Sequence, residues 1–393
     1  MSVEPGEFAD RYWGREPLLS AGAEPGFADL FGLAAVEELI SRRGLRTPFL
    51  RMARDGSLVD SARFTGSGGA GAEIADQVRD DRVAELFADG STLVLQGLHR
   101  TWAPLADFAA QLSVDLGNPV QVNAYVTPPS NRGFSAHYDV HDVFVLQVAG
   151  GKRWTIHPPV LADPLRSQPW TDRSAAVSVQ ARTEPAIDAV LNPGDRLYLP
   201  RGWLHSAEAL GEVSVHLTVG VHPVTRYAVV QALAALAAEV PALRGSLPLG
   251  MEVADPAQVA PHLTATVEAL RDWLATADPA AVAAKLRTAL WPRSRPGPVP
   301  PLAQAAAIAA LDQDSVVRLR PQLRHALATG GDAVLLRLAD RQISFPAVTE
   351  PALKALLSGR PVRVGELPGL DADDRLVLVR RLLREAVCVP AAQ

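Results

Sequence analysis

One stretch of the sequence decides the fold of this chain: Gly133 to Gln147, with the residues GFSAHYDVHDVFVLQ. The pattern predicts a β-strand that enters from a glycine-containing loop and becomes more apolar after Asp142. On a strand, side chains two residues apart point to the same side, so His137 and Asp139 would share one face. An imidazole nitrogen and a carboxylate oxygen on one face can hold a divalent metal ion. A His-x-Asp pair alone is common, so the wider sequence decides whether it is a site.

A third metal ligand is available downstream, in Asn192 to His205 with the residues NPGDRLYLPRGWLH. Its Pro-Gly-Asp is typical of a turn, and Arg196 to Leu199 is a short predicted strand that a proline and a glycine interrupt. A hairpin-rich barrel can bring His205 beside the His-x-Asp pair. Two histidines and one carboxylate on one face are the ligand set of non-haem iron(II) sites, which leave positions open for a cosubstrate and oxygen.

Five blocks of sequence follow one another in a specific order. They are N-x-Y-x-T-P-P from Asn123, G-F-x-x-H-x-D from Gly133, F-x-L-Q-x-x-G-x-K-x-W from Phe144, P-G-D-x-L-Y-L-P-R-G-W-x-H from Pro193 and S-V-H-L-T from Ser214. This series resembles the JmjC-type ribosomal oxygenases, also called the cupin-4 group of 2-oxoglutarate-dependent protein hydroxylases. The resemblance is tight over about residues 91–222 and looser over the rest of the chain.

This resemblance implies iron(II) on His137, Asp139 and His205, with 2-oxoglutarate and O2 as cosubstrates. The implied reaction hydroxylates the β-carbon of an arginine or histidine side chain in a ribosomal protein. Other functions stay open: hydroxylation of a biosynthetic peptide or small molecule, demethylation of N-methyl-lysine, and a cupin module that binds metal without catalysis.

The resemblance also makes Lys152 the partner of the distal carboxylate of 2-oxoglutarate, with Tyr125 and Asn123 beside it. A lysine is a compact charge that suits this group, and a tyrosine hydroxyl can donate a hydrogen bond to it. Tyr125 and Asn123 are two residues apart on one predicted strand and therefore share a face. The alternative is a solvated lysine after a Gly-Gly turn and two ordinary barrel residues.

Four further residues are candidates for supporting roles. His141 continues the His-x-Asp alternation, but it lies about 6–7 Å beyond Asp139 along a strand, which places it outside the ligand set. We therefore predict a substrate contact for His141, and also for Arg201. His216 and Thr218 are predicted to lie behind the ligands rather than to bind the metal.

Short predicted strands with turns between them indicate a β-barrel. The predicted strands include 120–126, 143–148 and 153–157, and the last two form a predicted hairpin about Gly150 and Gly151. Residues 102–116 form a predicted helix over the barrel. The fold class that follows is mixed α/β (α+β), with a double-stranded β-helix of the jelly-roll or cupin type.

The second half of the chain has a different pattern. Apolar residues recur at helical spacing in 224–240, 263–274 and 280–290, a proline-rich linker occupies 295–301, and the order of elements after it resembles a winged helix. We predict a JmjC catalytic domain with an N-terminal arm at 1–222 (core 91–222), a helical region with the linker at 223–300, and a winged-helix-like domain at 301–393. In the resembled family the helical region forms a dimer interface, so a homodimer is expected.

The composition argues against several classes of protein. The net charge is −5, from 38 basic and 43 acidic residues, so the chain as a whole lacks the positive charge typical of nucleic-acid-binding proteins. Residues 301–393 hold 12 basic against 10 acidic residues, so DNA binding is not expected of this region either. No apolar run reaches the length of a membrane span, and the first residues lack the apolar core of a signal peptide. The single cysteine, Cys388, forms no intramolecular disulfide, which favours a cytoplasmic location.

Overall fold

The computed structural model describes residues 2–22, 26–54, 56–129, 131 and 134–391. The described chain forms two compact units, divided in sequence between Pro223 and Val224. The first unit holds the predicted barrel, and the second combines helices with two small sheets. The division into three regions that the sequence suggests stays a prediction.

The first unit contains eleven strands and six helices among its described residues. Its helices are α1 (Pro5–Glu7, continued by a π-helical turn at Phe8–Tyr12), α2 (Leu33–Arg42), α3 (Asp80–Ala88), α4 (Leu98–Thr101), α5 (Ala103–Asp115) and α6 (Ser174–Gln180). Its strands are β1 (Leu18–Ser20), β2 (Leu50–Arg54), β3 (Ser57–Leu58), β4 (Thr65–Gly66), β5 (Gln77–Val78), β6 (Thr92–Leu95), β7 (Val120–Thr127), β8 (Asp142–His157), β9 (Ile187–Leu191), β10 (Arg196–Leu199) and β11 (Leu204–Val221). The predicted strand at 120–126 and the predicted helix at 102–116 are confirmed as β7 and α5.

Nine of these strands form one antiparallel sheet in the order β1-β10-β8-β11-β7-β6-β2-β3, with β9 paired to β8. The first half of β8 pairs with β10 and its second half pairs with β9. In the same way, β11 pairs with β8 along most of its length but with β7 only over its second half. The two long strands therefore run through both halves of the sheet and join them.

The predicted hairpin at Gly150 and Gly151 is wrong. β8 runs through both glycines without a break, and it is 16 residues long. The glycine pair instead lies at a bulge, where the register between β8 and β11 shifts between Leu210 and Val215. Gly150 has a φ of +63°, a conformation that glycine adopts without the strain met by other residues. A bulge bends a strand and does not reverse it, so the same residues that suggested a turn continue the strand.

A buried glutamine holds this bulge. The side-chain amide of Gln147 donates hydrogen bonds to the carbonyl oxygens of Ala149 at 2.9 Å and Gly150 at 2.8 Å, and to the Ser214 hydroxyl at 2.9 Å. These bonds satisfy carbonyls that lose their ladder partners where the register shifts. The bend turns the two halves of the sheet toward each other, and side chains from both halves line one pocket.

Apolar side chains pack on both faces of the sheet. The outer face is covered by helices α2, α3 and α5, which bury residues such as Val36, Leu39, Leu86 and Leu105. A second core lies between the two halves and consists of Val143, Val145, Trp154, Ile156, Leu191, Leu197 and Leu199. The pocket is therefore walled by rigid, closely packed strands.

The second unit begins with four α-helices, which are followed by six strands with two further helices among them. The helices are α7 (Arg226–Ala237), α8 (Pro256–Leu274), α9 (Pro279–Leu290), α10 (Pro301–Ala309), α11 (Glu350–Leu357) and α12 (Ala372–Arg384). The strands are β12 (Val316–Leu319), β13 (Ala326–Gly330), β14 (Ala333–Arg337), β15 (Gln342–Pro346), β16 (Val362–Arg363) and β17 (Cys388–Pro390). They form the sheets β16-β12-β17 and β13-β14-β15. The three helices predicted in 224–290 are confirmed, and α8 begins earlier than predicted because Asp255 caps it with a hydrogen bond to the Ala257 amide.

Helices and antiparallel sheets thus occur together, and the predicted mixed α/β (α+β) class is confirmed. Among the residues that the structure describes, no helix combines the length and the apolar character that crossing a membrane requires.

Candidate metal centre and cosubstrate pocket

Three predicted ligands converge at one point of the first unit. His137, Asp139 and His205 offer ligand atoms that all lie within 4.8 Å of one another. The Nε2 atom of His205 is 3.6 Å from Oδ2 of Asp139, and the centroids of the two imidazole rings are 4.4 Å apart. Two imidazoles and one carboxylate at this spacing can bind a single divalent ion on one side and leave the other side open.

The way in which the chain brings these residues together differs from the prediction. Residues 134–141 do not form a regular strand, and Gly133 lies outside the described residues. His137 instead forms an isolated antiparallel bridge with His205, in which each backbone amide donates to the carbonyl oxygen of the other, at 3.2 and 2.8 Å. The carbonyl oxygen of Asp139 accepts a hydrogen bond from the Gly202 amide at 3.0 Å. The ligands are therefore positioned by cross-chain backbone bonds rather than by strand alternation.

Backbone carbonyls orient both imidazole rings. Nδ1 of His137 lies 2.7 Å from the Ser135 carbonyl oxygen, and Nδ1 of His205 lies 3.1 Å from the Trp203 carbonyl oxygen. A carbonyl oxygen only accepts, so in both rings Nδ1 carries the proton and the lone pair of Nε2 is free for a metal. Burial lowers the pKa of His205 to about 4, so its ring is neutral near pH 7.

Lys152 lies in the same pocket, and it has no acidic partner among the residues that the structure describes. Its side chain is 2% exposed, and its Nζ atom donates to the Thr127 hydroxyl at 2.9 Å and lies 3.4 Å from Nδ1 of His216. None of the described acidic side chains forms a salt bridge with it. Burial lowers the pKa of Lys152 to about 7. A buried amine that lacks a carboxylate is suited to receive one from a bound acid.

Tyr125 also lines this pocket, whereas Asn123 has a different contact. The ring of Tyr125 stacks on His216 with centroids 5.0 Å apart, and burial raises the pKa of its hydroxyl to about 12, so the hydroxyl stays a donor. The side-chain oxygen of Asn123 accepts from the Gly97 amide at 3.0 Å, next to a φ of +64° at Gly97. Asn123 is not among the described residues that line the pocket.

The sequence and the fold of this chain are similar to those of known proteins. Residues 101–229 match the JmjC domain family. The chain carries a JmjC domain. The chain of Escherichia coli ribosomal oxygenase YcfD has the same fold, with a TM-score of 0.56, 19% identity and 99% of each chain covered. A structure of YcfD in complex with cobalt and 2-oxoglutarate matches with a TM-score of 0.54 and 19% identity, over 100% of this chain and 99% of that one.

Curated relatives match over part of their length. Ribosomal oxygenase 1 of Gallus gallus is 30% identical over 218 residues, which is 55% of this chain and 34% of that protein. The bifunctional lysine-specific demethylase and histidyl-hydroxylase NO66 of Drosophila persimilis is 42% identical over 110 residues, or 28% of this chain and 15% of that protein. The chain thus spans about a third or less of the length of these relatives. The resemblance to the JmjC-type ribosomal oxygenases is confirmed, and with it the cupin-type fold.

A buried carboxylate fixes the two segments that carry the ligands of the JmjC domain. Asp142 is fully buried and accepts hydrogen bonds from the Tyr198 hydroxyl at 3.0 Å and from the Arg201 amide at 2.9 Å. The Tyr198 hydroxyl in turn accepts from the Gly14 amide at 2.8 Å, which ties the N-terminal arm to the same point. Because Asp142 starts β8 and Arg201 precedes β11, this network holds the Asp139 and His205 segments together.

The structure places the predicted substrate contacts outside the pocket lining. The guanidinium of Arg201 forms a salt bridge with Asp163 at 2.8 Å, and its side chain is 13% exposed. His141 stacks on His222, with centroids 4.9 Å apart and an angle of 23° between the rings. Neither Arg201 nor His141 is among the described residues that line the pocket, so a role in substrate binding stays a prediction for both.

His216 and Thr218 do line the pocket of the JmjC domain. His216 lies between Tyr125 and the edge of Trp154, whose centroid is 5.2 Å away. Burial, together with the nearby Lys152, holds the pKa of His216 well below its usual value, so the ring is a neutral acceptor beside the lysine. These contacts suit a supporting position behind the ligands.

Three residues were given no role in the sequence analysis: Thr127 and Phe134, which line the pocket, and Trp170, which lies beside His137 but is not among the described lining residues. Thr127 continues the alternation of Tyr125 on β7, and this signal could have identified it. Phe134 and Trp170 flank His137, with ring centroids 6.0 and 6.2 Å away. Trp170 belongs to a separate 3-10 turn far along the chain, and no local pattern links it to the site.

The residues present fit the group that the family implies. Neutral imidazole nitrogens and a carboxylate oxygen suit iron(II) and similar divalent ions, and the described part of the pocket offers no thiolate that would favour a softer metal. Lys152, Thr127 and Tyr125 add donors for a dicarboxylate in the same pocket.

Proposed function

We propose that this chain is an iron(II)- and 2-oxoglutarate-dependent oxygenase that hydroxylates an amino-acid side chain of a ribosomal protein. The observation that carries the proposal is the single pocket that holds both the His137, Asp139 and His205 cluster and the buried Lys152, which has no acidic partner among the described residues. The names of the relatives, ribosomal oxygenase 1 and YcfD, support a ribosomal substrate.

The residues of the pocket have separate tasks in this proposal. His137, Asp139 and His205 hold iron(II), and Lys152 and Tyr125 hold the distal carboxylate of 2-oxoglutarate. With O2, the iron and the cosubstrate supply the oxidising power that replaces a C–H bond by C–OH, while 2-oxoglutarate becomes succinate and carbon dioxide. The packed walls of the sheet orient the reactants.

The target of the reaction is proposed to be the β-carbon of an arginine or histidine residue. The name of the Drosophila relative includes both histidyl-hydroxylase and lysine-specific demethylase, so demethylation of N-methyl-lysine is the second candidate. A hydroxylated peptide shows a gain of one oxygen atom, whereas demethylation shows a loss of one methylene and releases formaldehyde. The two functions are therefore separable by mass.

The test is mass spectrometry of ribosomal proteins from cells with and without this gene. We expect a gain of one oxygen atom on a single ribosomal peptide in the cells that carry the gene. Wild type should restore the modification to deleted cells, and His137→Ala should not. His325→Ala changes a histidine of the second unit outside the proposed dimer segment; it is the matched control and should restore the modification fully. An identical and completely covered ribosome in both strains would contradict the ribosomal substrate.

We further propose a homodimer formed through α7, α8 and the segment between them. Of the twenty large apolar side chains that are exposed in the described chain, ten lie between Val224 and Leu274. Helices α8 and α9 contain no buried residue. Exposed apolar surface concentrated in one segment is typical of an interface.

The region 301–393 is proposed to be a winged-helix-like domain that contacts protein rather than DNA. Its 12 basic and 10 acidic residues give it almost no net charge, whereas DNA-binding domains are usually strongly basic. A cytoplasmic location, which the single cysteine favours, belongs to the same proposal.

A further inference from the structure

A second pocket lies in the second unit, far along the sequence from the metal ligands. It is a cleft of about 420 Å³ between α12 and the segment that runs from β15 to Thr349. Its floor is apolar and includes Phe345, Leu370 and Leu378, which are 7%, 9% and 4% exposed. A volume of this size suits a few side chains of a binding partner.

Two apolar side chains at this cleft are open to solvent. Val348 is 58% exposed and Val377 is 62% exposed, although both lie beside a well-packed core. Single exposed apolar residues are ordinary, but here they continue the apolar floor to the surface. The cleft therefore offers a continuous apolar surface to a partner.

The cleft runs along an open strand edge. β15 is the last strand of the sheet β13-β14-β15, and among the described strands it pairs with β14 alone. Three consecutive residues of β15, from Ser344 to Pro346, line the cleft. On a strand, consecutive side chains point to opposite faces of the sheet. A cleft that contacts all three residues therefore lies along the edge of β15 and not on one face. Pro346 has no amide hydrogen, which limits further pairing to residues 342–345.

Basic side chains surround one end of the cleft. Arg380, Arg381 and Arg384 line it, against a single acid, Asp374, at the other end of α12. Arg381 pairs with Glu385 at 3.0 Å, while none of the described acidic residues forms a salt bridge with Arg380 or Arg384. Arginines near a helix C-terminus are also favoured by the helix dipole, but that effect does not account for the apolar cleft beside them.

We infer that this cleft binds an extended protein segment in which apolar and acidic residues alternate, and that the segment adds to the sheet as a strand beside β15. Its backbone would pair with the free edge, its apolar side chains would enter the floor between Phe345 and Val377, and its carboxylates would meet Arg380 and Arg384. This is the strand-addition mode by which many domains bind peptides.

A protein segment fits these observations better than a nucleic acid does. Single-stranded nucleic acid is bound by a basic groove with exposed aromatic rings on which bases stack. The only aromatic side chain among the described lining residues is Phe345, which is 93% buried and cannot stack on a base. An open strand edge, in contrast, presents backbone donors and acceptors that pair with another peptide backbone.

The test is a titration of the full chain into a fluorescein-labelled seven-residue peptide in which valine and isoleucine alternate with glutamate, followed by fluorescence anisotropy. We expect Arg384→Glu and Val377→Glu each to weaken binding by about tenfold or more, because one reverses the complementary charge and the other places a charge in the apolar floor. Arg360→Glu changes an exposed arginine of the same unit outside the cleft and should weaken binding by less than about twofold.

Strand addition has a second signature that charge attraction lacks. The amides of Gln342 and Ser344, which face away from β14, should exchange hydrogen more slowly with the peptide bound. The same peptide with alternate N-methyl groups should neither bind nor protect them. Equal affinity of the peptide for the wild type and both variants would overturn the inference, and so would unchanged hydrogen exchange of these amides. So would binding of single-stranded RNA in place of the peptide, or protection that grows with protein concentration alone, which would assign the edge to a second copy.

Discussion

At the scale of single residues, Lys152 lies in an unusual environment for a lysine. It is a buried amine in the pocket of the metal ligands, with a hydroxyl and an imidazole as neighbours. Burial disfavours its charge and lowers its pKa to about 7, compared with 10.5 in solution. In the free protein a large part of this lysine is therefore neutral at physiological pH. A bound carboxylate would favour the charged form and raise the pKa again.

This shift predicts that 2-oxoglutarate binding takes up a proton. At pH 8 Lys152 is mostly neutral in the free protein and should be charged in the complex, so uptake should approach one proton, while at pH 6 it should be close to zero. The affinity should fall by up to about tenfold per pH unit above pH 7. The measurement is calorimetry with manganese-loaded protein in two buffers that differ in ionisation enthalpy.

Lys152→Arg is the control for this experiment. A guanidinium stays charged at every pH used, so the variant should show no proton uptake and no fall in affinity. Equal binding enthalpies in both buffers for the wild type at pH 8 would contradict the prediction. Lys152 also determines how the stability of the free protein depends on pH. Its free energy of unfolding should increase as the pH rises from 7 to about 10, because the unfolded chain binds the lysine proton more tightly than the folded chain does.

At the scale of elements, the bend in β8 and β11 decides where the pocket lies. Both strands change neighbours at the bend, and Lys152 and Trp154 follow it directly. Gly150 is the residue that permits this path. A Cβ atom added there would lie 2.3 Å from the Val213 carbonyl oxygen, a backbone atom that cannot move aside alone.

We predict that Gly150→Ala lowers the free energy of unfolding by about 2–4 kcal/mol, since it combines a positive φ with a backbone clash. Gly211→Ala is the matched control. Gly211 also has a positive φ, +68°, but a Cβ atom there would meet nothing within 4 Å, so the loss should be only about 1 kcal/mol. Urea unfolding of both variants measures the difference, and equal losses would show that the clash has no effect.

At the scale of the whole molecule, the exposed apolar segment of the second unit predicts the association state. Leu263 and Val267 are four residues apart on α8, so they share one face, and they are 59% and 53% exposed. Burying such a face between two copies removes apolar surface from water at roughly 25 cal/mol per Å². We therefore expect a stable dimer at micromolar concentrations.

The double variant Leu263→Glu, Val267→Glu should halve the mass measured by size-exclusion chromatography with light scattering, because it places two charges in the apolar face. Leu302→Glu is the control: Leu302 is 85% exposed but lies on α10, outside the proposed interface, and the variant should remain a dimer. Unchanged far-ultraviolet circular dichroism would show that the variants fold. A wild-type chain with the mass of one copy across the micromolar range would contradict the proposed dimer.

The predictions that the structure confirms rest on residues that are close together in the sequence. Helices α5, α7 and α9 follow from apolar spacing within one segment, and β7 follows from strand alternation. The ligand types also follow from sequence, because only a few side chains bind iron(II) and their order matches a known series. Each of these properties depends on residues that are close together in the chain.

The failures come from interactions between distant segments. Gly150 and Gly151 form an ordinary turn signal, and only the register of β8 against β11 makes them a bulge. The segment of His137 lacks strand structure, and a bridge to His205, 68 residues later, positions it. Asn123 also has a partner from a distant segment, the Gly97 amide, and its role in binding 2-oxoglutarate stays a prediction.

The sequence by itself thus determined the class of fold, the residue types of the site and their order along the chain, since these depend on composition and short-range pattern. Only the tertiary structure decided how the ligands meet, that Lys152 is buried without an acidic partner among the described residues, and which candidates lie outside the described pocket lining. The physical reason is that burial and cross-strand hydrogen bonds depend on which segments pair, and pairing is a property of the whole sheet.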